Sequence, residues 1–207
     1  LVLASSYPRY FSTGLDLAEM ASLPAERRAQ PFLSLLETYR ALRDLPKPSL
    51  AAIGGSALLG GWILAMACDF RLLARESGRI SLSEIRLGLS PTSALIARLR
   101  EISSSPSLVK EMVLRGRTLR AEEALSGGFV DRLVSAESLH EEALREARQL
   151  ARQPLGAYAA IKRSLLGAGE EALWRRSREE FEAFFGKPEP EEGIAAMREK
   201  RRPRWEA

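Results

Sequence analysis

Residues 49–74, SLAAIGGSALLGGWILAMACDFRLLA, read as two short buried strands on either side of a helix that a glycine pair opens. Ser49–Ile53 is an apolar run that Gly54 and Gly55 end, and Asp69–Ala74 is a second run of strand length. Between them, Gly60-Gly61 begins a helical stretch that reaches Ala67. A strand, a helix and a strand in that order are the unit from which helix-covered parallel sheets are built.

The flanking sequence extends the same pattern. Upstream, Leu1–Ala4 is a strand candidate, followed by a polar, aromatic-bearing loop to Phe11 and a short helix over residues 16–22 with Asp16 near its start. From Glu26 to Arg43, Phe32, Leu35, Leu36, Tyr39 and Leu42 recur with a helical period. Lys47-Pro48 ends that helix, because proline lacks an N–H and restricts the residue before it. Downstream, Arg79–Leu82 reads as a strand, stretches near 93–101, 106–114 and 120–126 as helices, and Phe129–Val134 as a last strand. The expected fold class is α/β, with a largely parallel, buried sheet.

After Ser135 the character changes. Ser138 can cap a helix whose first turn carries Glu141 and Glu142, where carboxylates favour the helix dipole. From there to Trp205 the pattern is helical and charged. The expected division is an α/β body over residues 1–137 and a helical region over 138–207. Trp174, Phe181, Phe184 and Phe185 in that region need a partner surface, either the body or a neighbouring subunit.

The composition narrows the function classes. A chain of 207 residues can hold one domain with a sizeable core, and 45% hydrophobic with 28% charged residues is ordinary for a soluble protein. No apolar run approaches the roughly 18–20 residues that cross a bilayer, so no membrane association is expected. A single cysteine, Cys68, cannot form an internal disulfide, which fits a reducing compartment. The net charge of +4 is mild, and much of it sits in the tail MREKRRPRWEA. Such a run is expected to be a solvated helix end, although it could meet a nucleic acid or an anionic ligand. The opening LVLA has no Met and no basic region before it, so no secretory signal is expected there, and it reads as a strand entered in mid-fold. A preceding segment is expected.

Few side chains are left for chemistry. His140, the one histidine, starts a charged helix, and Cys68 lies in the apolar LAMACDF. They support neither a nucleophilic triad nor a metal site. No phosphate-binding loop or dinucleotide fingerprint is present. Two glycine turns and one carboxylate remain. Gly14 precedes Leu15 and a helix, and Gly60-Gly61 opens another. Such turns present backbone N–H groups that can bind an anion, or they serve the fold alone. Glu84, in RISLSEIRLGL, sits among apolar residues just after a strand. Burial there would raise its pKa and suit it to move protons, unless it pairs with Arg79 or Arg86.

At these residues the chain resembles the crotonase superfamily of enoyl-CoA hydratases and isomerases. FSTGLDLAEM (11–20) is similar to the family's FSAGxDLxEM, and GSALLGGWILAMACDFRLLA (55–74) to its GxAxGGGxxLAxxCDxRxA. ISLSEIRLGLSP (80–91) resembles the loop that carries a catalytic glutamate. GRTLRAEEALSGGFVDRLV (116–134) resembles a further family pattern. The four segments keep the family's order and spacing from residue 1 to about residue 139.

The resemblance implies a crotonase-like ββα spiral core with a C-terminal helical trimerisation region, and a homotrimer or hexamer. It implies an oxyanion hole from the N–H groups of Leu15 and Gly60, Glu84 as acid/base, and Gly14, Gly61, Trp62 and Ile63 around the substrate. The ligand it implies is an acyl-CoA thioester, with coenzyme A as part of the substrate, no separate cofactor and no metal. Lys200 is a candidate to reach the phosphates of a neighbour's CoA, and nucleic acid is not an expected partner. The implied location is the cytoplasm, or the mitochondrial matrix or peroxisome in a eukaryote.

Two departures from the family pattern refine the expectation. Hydratases of this family use two glutamates, and the first position is Ile63 here. One glutamate with an apolar residue at the earlier place resembles the Δ3,Δ2-enoyl-CoA isomerases. Leu59 replaces the first glycine of the family's triplet. The isomerase is therefore the expected activity. Hydration, hydrolysis or decarboxylation of another acyl-CoA, and non-catalytic binding of acyl-CoA or RNA, are the alternatives.

Overall fold

The computed structural model describes residues 1–166, 170–185 and 187–205. Strands β1 (Val2–Ala4) and β2 (Tyr10–Ser12) lead to helices α1 (Leu17–Ser22) and α2 (Gln30–Arg43). Next come β3 (Leu50–Ile53), β4 (Ser56–Leu58), α3 (Gly60–Ala67), β5 (Phe70–Ala74) and β6 (Arg79–Ser81). A 3₁₀ turn over Glu84–Leu87 precedes α4 (Ser93–Ile102), α5 (Pro106–Arg115), β7 (Leu119–Arg120), α6 (Ala121–Ser126) and β8 (Arg132–Val134). Helices α7 (Leu139–Leu150), α8 (Leu155–Leu166), α9 (Glu170–Phe185) and α10 (Pro188–Arg198) complete the described chain.

The strands form two sheets rather than the one that the sequence pattern suggested. One is wholly parallel, in the order β1-β3-β5-β8. The other runs β2-β4-β6-β7, with only β7 antiparallel to its neighbour. Each successive pair (β1 and β2, β3 and β4, β5 and β6) therefore places its first strand in one sheet and its second in the other. A helical segment then returns the chain for the next pair, which is the ββα spiral that the family resemblance implies. The strands missed in the sequence (β2, β4 and β7) are two or three residues long, bury one residue each and lie beside turns or a helix start, so no apolar run marks them. The expected last strand from Phe129 is confined to Arg132–Val134.

Burial explains the arrangement. All four residues of β3 are buried, as a strand covered on both faces requires. On one side Leu50, Ala52, Leu72 and Ala74 meet Leu139 and Ala143 of α7. On the other side the main core gathers Ile53, Trp62, Ile63, Met66 and Leu73 with α2 and α4. Arg71 is buried within β5, where its Nε donates to Phe129 O at 2.9 Å, its Nη1 to Cys68 O at 2.7 Å, and its Nη2 faces Asp131 at 3.2 Å. With these partners the charge is tolerated inside the protein.

The C-terminal helices fold back on the body. Trp174 packs against Tyr39 with centroids 5.4 Å apart, and Phe181 joins the main core. Phe185 is partly buried beside it, whereas the side chain of Phe184 lies outside the described residues. Helix α10 presses on the 3₁₀ turn of Glu84 through a glycine: a Cβ at Gly193 would lie 2.2 Å from Leu87 O. Among the described residues no helix is long and apolar enough to cross a membrane.

Candidate active site

The two glycine turns meet. Gly14 has φ +96°, a conformation that L side chains rarely adopt. A Cβ there would stand 2.8 Å from the Gly60 nitrogen. A Cβ on Gly60 would in turn approach Gly14 Cα to 3.0 Å and Leu15 N to 3.6 Å. Glycine at both positions lets the two backbones touch, and the N–H groups of Leu15 and Gly60 come together at the start of α3. Among the described residues no acceptor takes either N–H. Two free donors at a helix N-terminus suit an oxygen that carries negative charge.

Leu59 prepares this turn in an unusual way. It holds φ +51° and ψ −125° as the N-cap of α3. A non-glycine residue in such a conformation stores backbone strain, which proteins tend to concentrate at functional sites.

Glu84 opens the 3₁₀ turn after β6, and its side chain is buried at 3% exposure. It makes no ion pair among the described residues, so neither Arg79 nor Arg86 neutralises it. Its Oε2 is buried without a hydrogen-bond partner. Desolvation pushes its pKa up to about 7, and a bond from its own backbone N–H offsets this only in part. The carboxylate is thus poised to take and release a proton near neutral pH.

Leu15, Gly60 and Glu84 line one small cavity of ≈ 30 Å³, walled otherwise by apolar side chains that include Met20, Phe32, Leu35, Phe181 and Phe185. Among the described residues Glu84 is its single titratable wall residue. Gly14 underlies the turn. Gly61 packs its backbone on β2, where a Cβ would lie 2.1 Å from Ser12 O. Trp62 and Ile63 are fully buried in the core and do not line this cavity.

The aromatic wall went unread in the sequence. Phe32 and Leu35 were visible only as the apolar face of α2, and nothing local ties Phe181 or Phe185 to Glu84. The other candidates lie elsewhere. His140 is exposed on α7. Cys68 is buried, and its thiol is pushed up to about 12 by desolvation, so it stays protonated. Among the described residues no three His, Cys, Asp or Glu side chains gather in a way that could hold a metal ion. In the basic tail, Arg201 is tied to Glu192 and Glu199.

A roomier cavity of ≈ 570 Å³ lies between α8 and the body, but its charges are already matched. There Lys162 Nζ stands 2.8 Å from Asp69 Oδ1, Arg98 pairs with Glu101 at 2.9 Å, and Arg43 faces Glu101 at 3.6 Å. Among the described residues it offers no unpaired acid or base to a reaction. The smaller cavity, with its free carboxylate and free N–H groups, is the better chemical site.

The family model for enoyl-CoA hydratase/isomerase matches residues 1–207. The chain belongs to that family. Among the chain's relatives, carnitinyl-CoA dehydratase of Salmonella typhi is 35% identical over 99% of the chain and 80% of the relative. Solved structures carry the same fold. A methylmalonyl-CoA decarboxylase superposes with TM-score 0.83 at 25% identity, covering all of this chain and 80% of that one. An enoyl-CoA hydratase of Mycobacterium ulcerans has TM-score 0.78 at 29% identity, over 89% of this chain and 79% of the other. The fold is therefore the crotonase spiral, and the chain is an enzyme of the crotonase family.

Proposed function

We propose that the chain isomerises a 3-enoyl-CoA to the 2-trans-enoyl-CoA. The observation that carries this reading is the solitary state of Glu84 in a cavity shared with Leu15 and Gly60. The thioester carbonyl accepts hydrogen bonds from the N–H groups of Leu15 and Gly60. Glu84 takes a proton from C2, and the electron pair delocalises onto the thioester oxygen through C1 and, through the C3–C4 double bond, onto C4, giving a dienolate. The protonated Glu84 then delivers that proton to C4, which leaves the double bond between C2 and C3. One carboxylate serves both carbons when they lie on one face. Each oxyanion donor in such a site is worth about 3 kcal/mol of transition-state stabilisation.

Water addition needs a second acid/base to hold and activate the water. The described cavity wall offers none, and the position where the family's hydratases carry it is Ile63, buried in the core. Dehydration is the second reading, favoured by the 35% identity to carnitinyl-CoA dehydratases. It would use the same C2 proton and Glu84, but the departing hydroxide also needs a proton donor. The likeness to methylmalonyl-CoA decarboxylase favours loss of carbon dioxide, which forms an enolate at the same oxyanion hole and needs Glu84 only as the acid that protonates C2.

Product analysis with four thioesters separates these outcomes: 3-hexenoyl-CoA, crotonyl-CoA, 3-hydroxybutyryl-CoA and methylmalonyl-CoA. The expected outcome is a shifted double bond in the first and little change in the others. Dominant water loss or decarboxylation would replace it with the corresponding alternative.

A further inference from the structure

The cavity beside Glu84 is far smaller than an extended acyl group. Its ≈ 30 Å³ has room for no more than about two water molecules. Aromatic side chains from distant parts of the chain form one side of its wall. Phe32 of α2 and Phe181 of α9 stack with ring centroids 3.8 Å apart and planes 11° apart. Phe185 leans on Phe181 at 5.2 Å.

Packing is not all that holds Phe181 in place. Ser177, one helical turn before it, accepts the Ala94 N–H at 2.8 Å. Glu180, beside it, accepts the Ser93 N–H at 2.8 Å and the Ser93 hydroxyl at 2.5 Å. These bonds satisfy N–H groups that the first turn of α4 leaves unpaired. They fix α9, and with it Phe181, over the cavity.

We propose that Phe181, stacked on Phe32 and anchored through Ser177 and Glu180, restricts the site to short acyl chains. The inference rests on the reading above, in which the carbonyl lies at Leu15 and Gly60 and C2 beside Glu84. The carbons beyond C2 then run toward the aromatic pair. A short chain is admitted by side-chain adjustment of Met20, Leu35 and Phe185. A long one must separate Phe32 from Phe181 and strain the bonds that hold α9 to α4.

The test is calorimetric binding of butyryl-, hexanoyl- and decanoyl-CoA to the full chain and to Phe181→Ala. Decanoyl-CoA is expected to bind the parent at least about tenfold more weakly than butyryl-CoA, although added methylenes tighten binding in an open apolar site. Phe181→Ala should reverse that order. Ser177→Ala combined with Glu180→Gln, which leaves the cavity wall intact, should narrow the gap. A parent that binds decanoyl-CoA as tightly as butyryl-CoA would overturn the proposal, as would a Phe181→Ala effect equal for all three esters. Binding of none of them would overturn it too. Saturated esters cannot isomerise, so the chain-length order is read even if the isomerase reading fails. That reading fails separately, by the absence of a double-bond shift in a 3-enoyl-CoA.

Discussion

A Cβ placed on Gly14 would lie 2.8 Å from the nitrogen of Gly60, so the two turns of the proposed oxyanion hole are built against each other. Neither can move without the other. Gly14→Ala combines an unfavourable positive φ with this collision, and the cheapest relief is displacement of the Gly60 N–H. The expected result is a loss of about a hundredfold in kcat/KM. Far-UV circular dichroism of the variant should stay native. An activity close to that of the parent would mean that the Gly60 N–H is not a donor to the reaction.

Burial without a partner sets the pH dependence of turnover. Glu84 acts as a base only when ionised, and desolvation holds its pKa at about 7. The kcat/KM for a 3-enoyl-CoA should therefore rise through about pH 7 and level off above it. A rate that is flat from pH 5 to 9 would contradict the assignment.

The same shift is a statement about stability. The folded pKa is raised above the unfolded value of 4.5, so between 4.5 and about 7 the folded chain holds a proton that the unfolded chain has lost. The parent's stability should fall as pH rises through that window, by on the order of 3 kcal/mol in all. Glu84→Gln lacks this contribution. Denaturant unfolding at pH 4.5 and pH 8 should show the variant gaining on the parent at the higher pH. A difference that does not change with pH would place Glu84 in a more solvated setting.

Helix α10 bears on the reaction through Gly193, whose missing Cβ makes room for Leu87 O in the turn of Glu84. Gly193→Ala would strengthen an isolated helix by up to about 1 kcal/mol. Here it is expected to lower stability by about 1–3 kcal/mol through overpacking, and to lower kcat more than KM changes. Thermal denaturation and steady-state kinetics check both effects. A stabilised, fully active variant would show that α10 has no influence on the Glu84 turn.

Much of this was legible in the sequence, for physical reasons that can be named. The helix over Gly60–Ala67 was bounded by a glycine pair and the end of an apolar run, and it has those bounds in the fold. The glycine turns at Gly14 and Gly60-Gly61 and a carboxylate among apolar residues at Glu84 leave local marks, whereas the choice of the Leu15 and Gly60 N–H groups as donors rests on the family resemblance. The division into two sheets leaves no such mark, since β2, β4 and β7 bury one residue each beside turns or a helix start and form no apolar run. Helix α3 is apolar nearly all round, so periodicity could not tell whether Trp62 and Ile63 face the cavity or the core. Phe181 and Phe185 reach Glu84 only through the return of α9 over α4, and no local signal encodes that contact.

The central claim is that Glu84 alone carries the proton, and its most direct test is the turnover of 3-hexenoyl-CoA by Glu84→Gln in deuterated water, followed by NMR. The parent should move the double bond to C2–C3. The variant should bind the ester with Kd near that of the parent but shift the bond at least about a thousandfold more slowly. Turnover by Glu84→Gln at a tenth of the parent rate or more would contradict it.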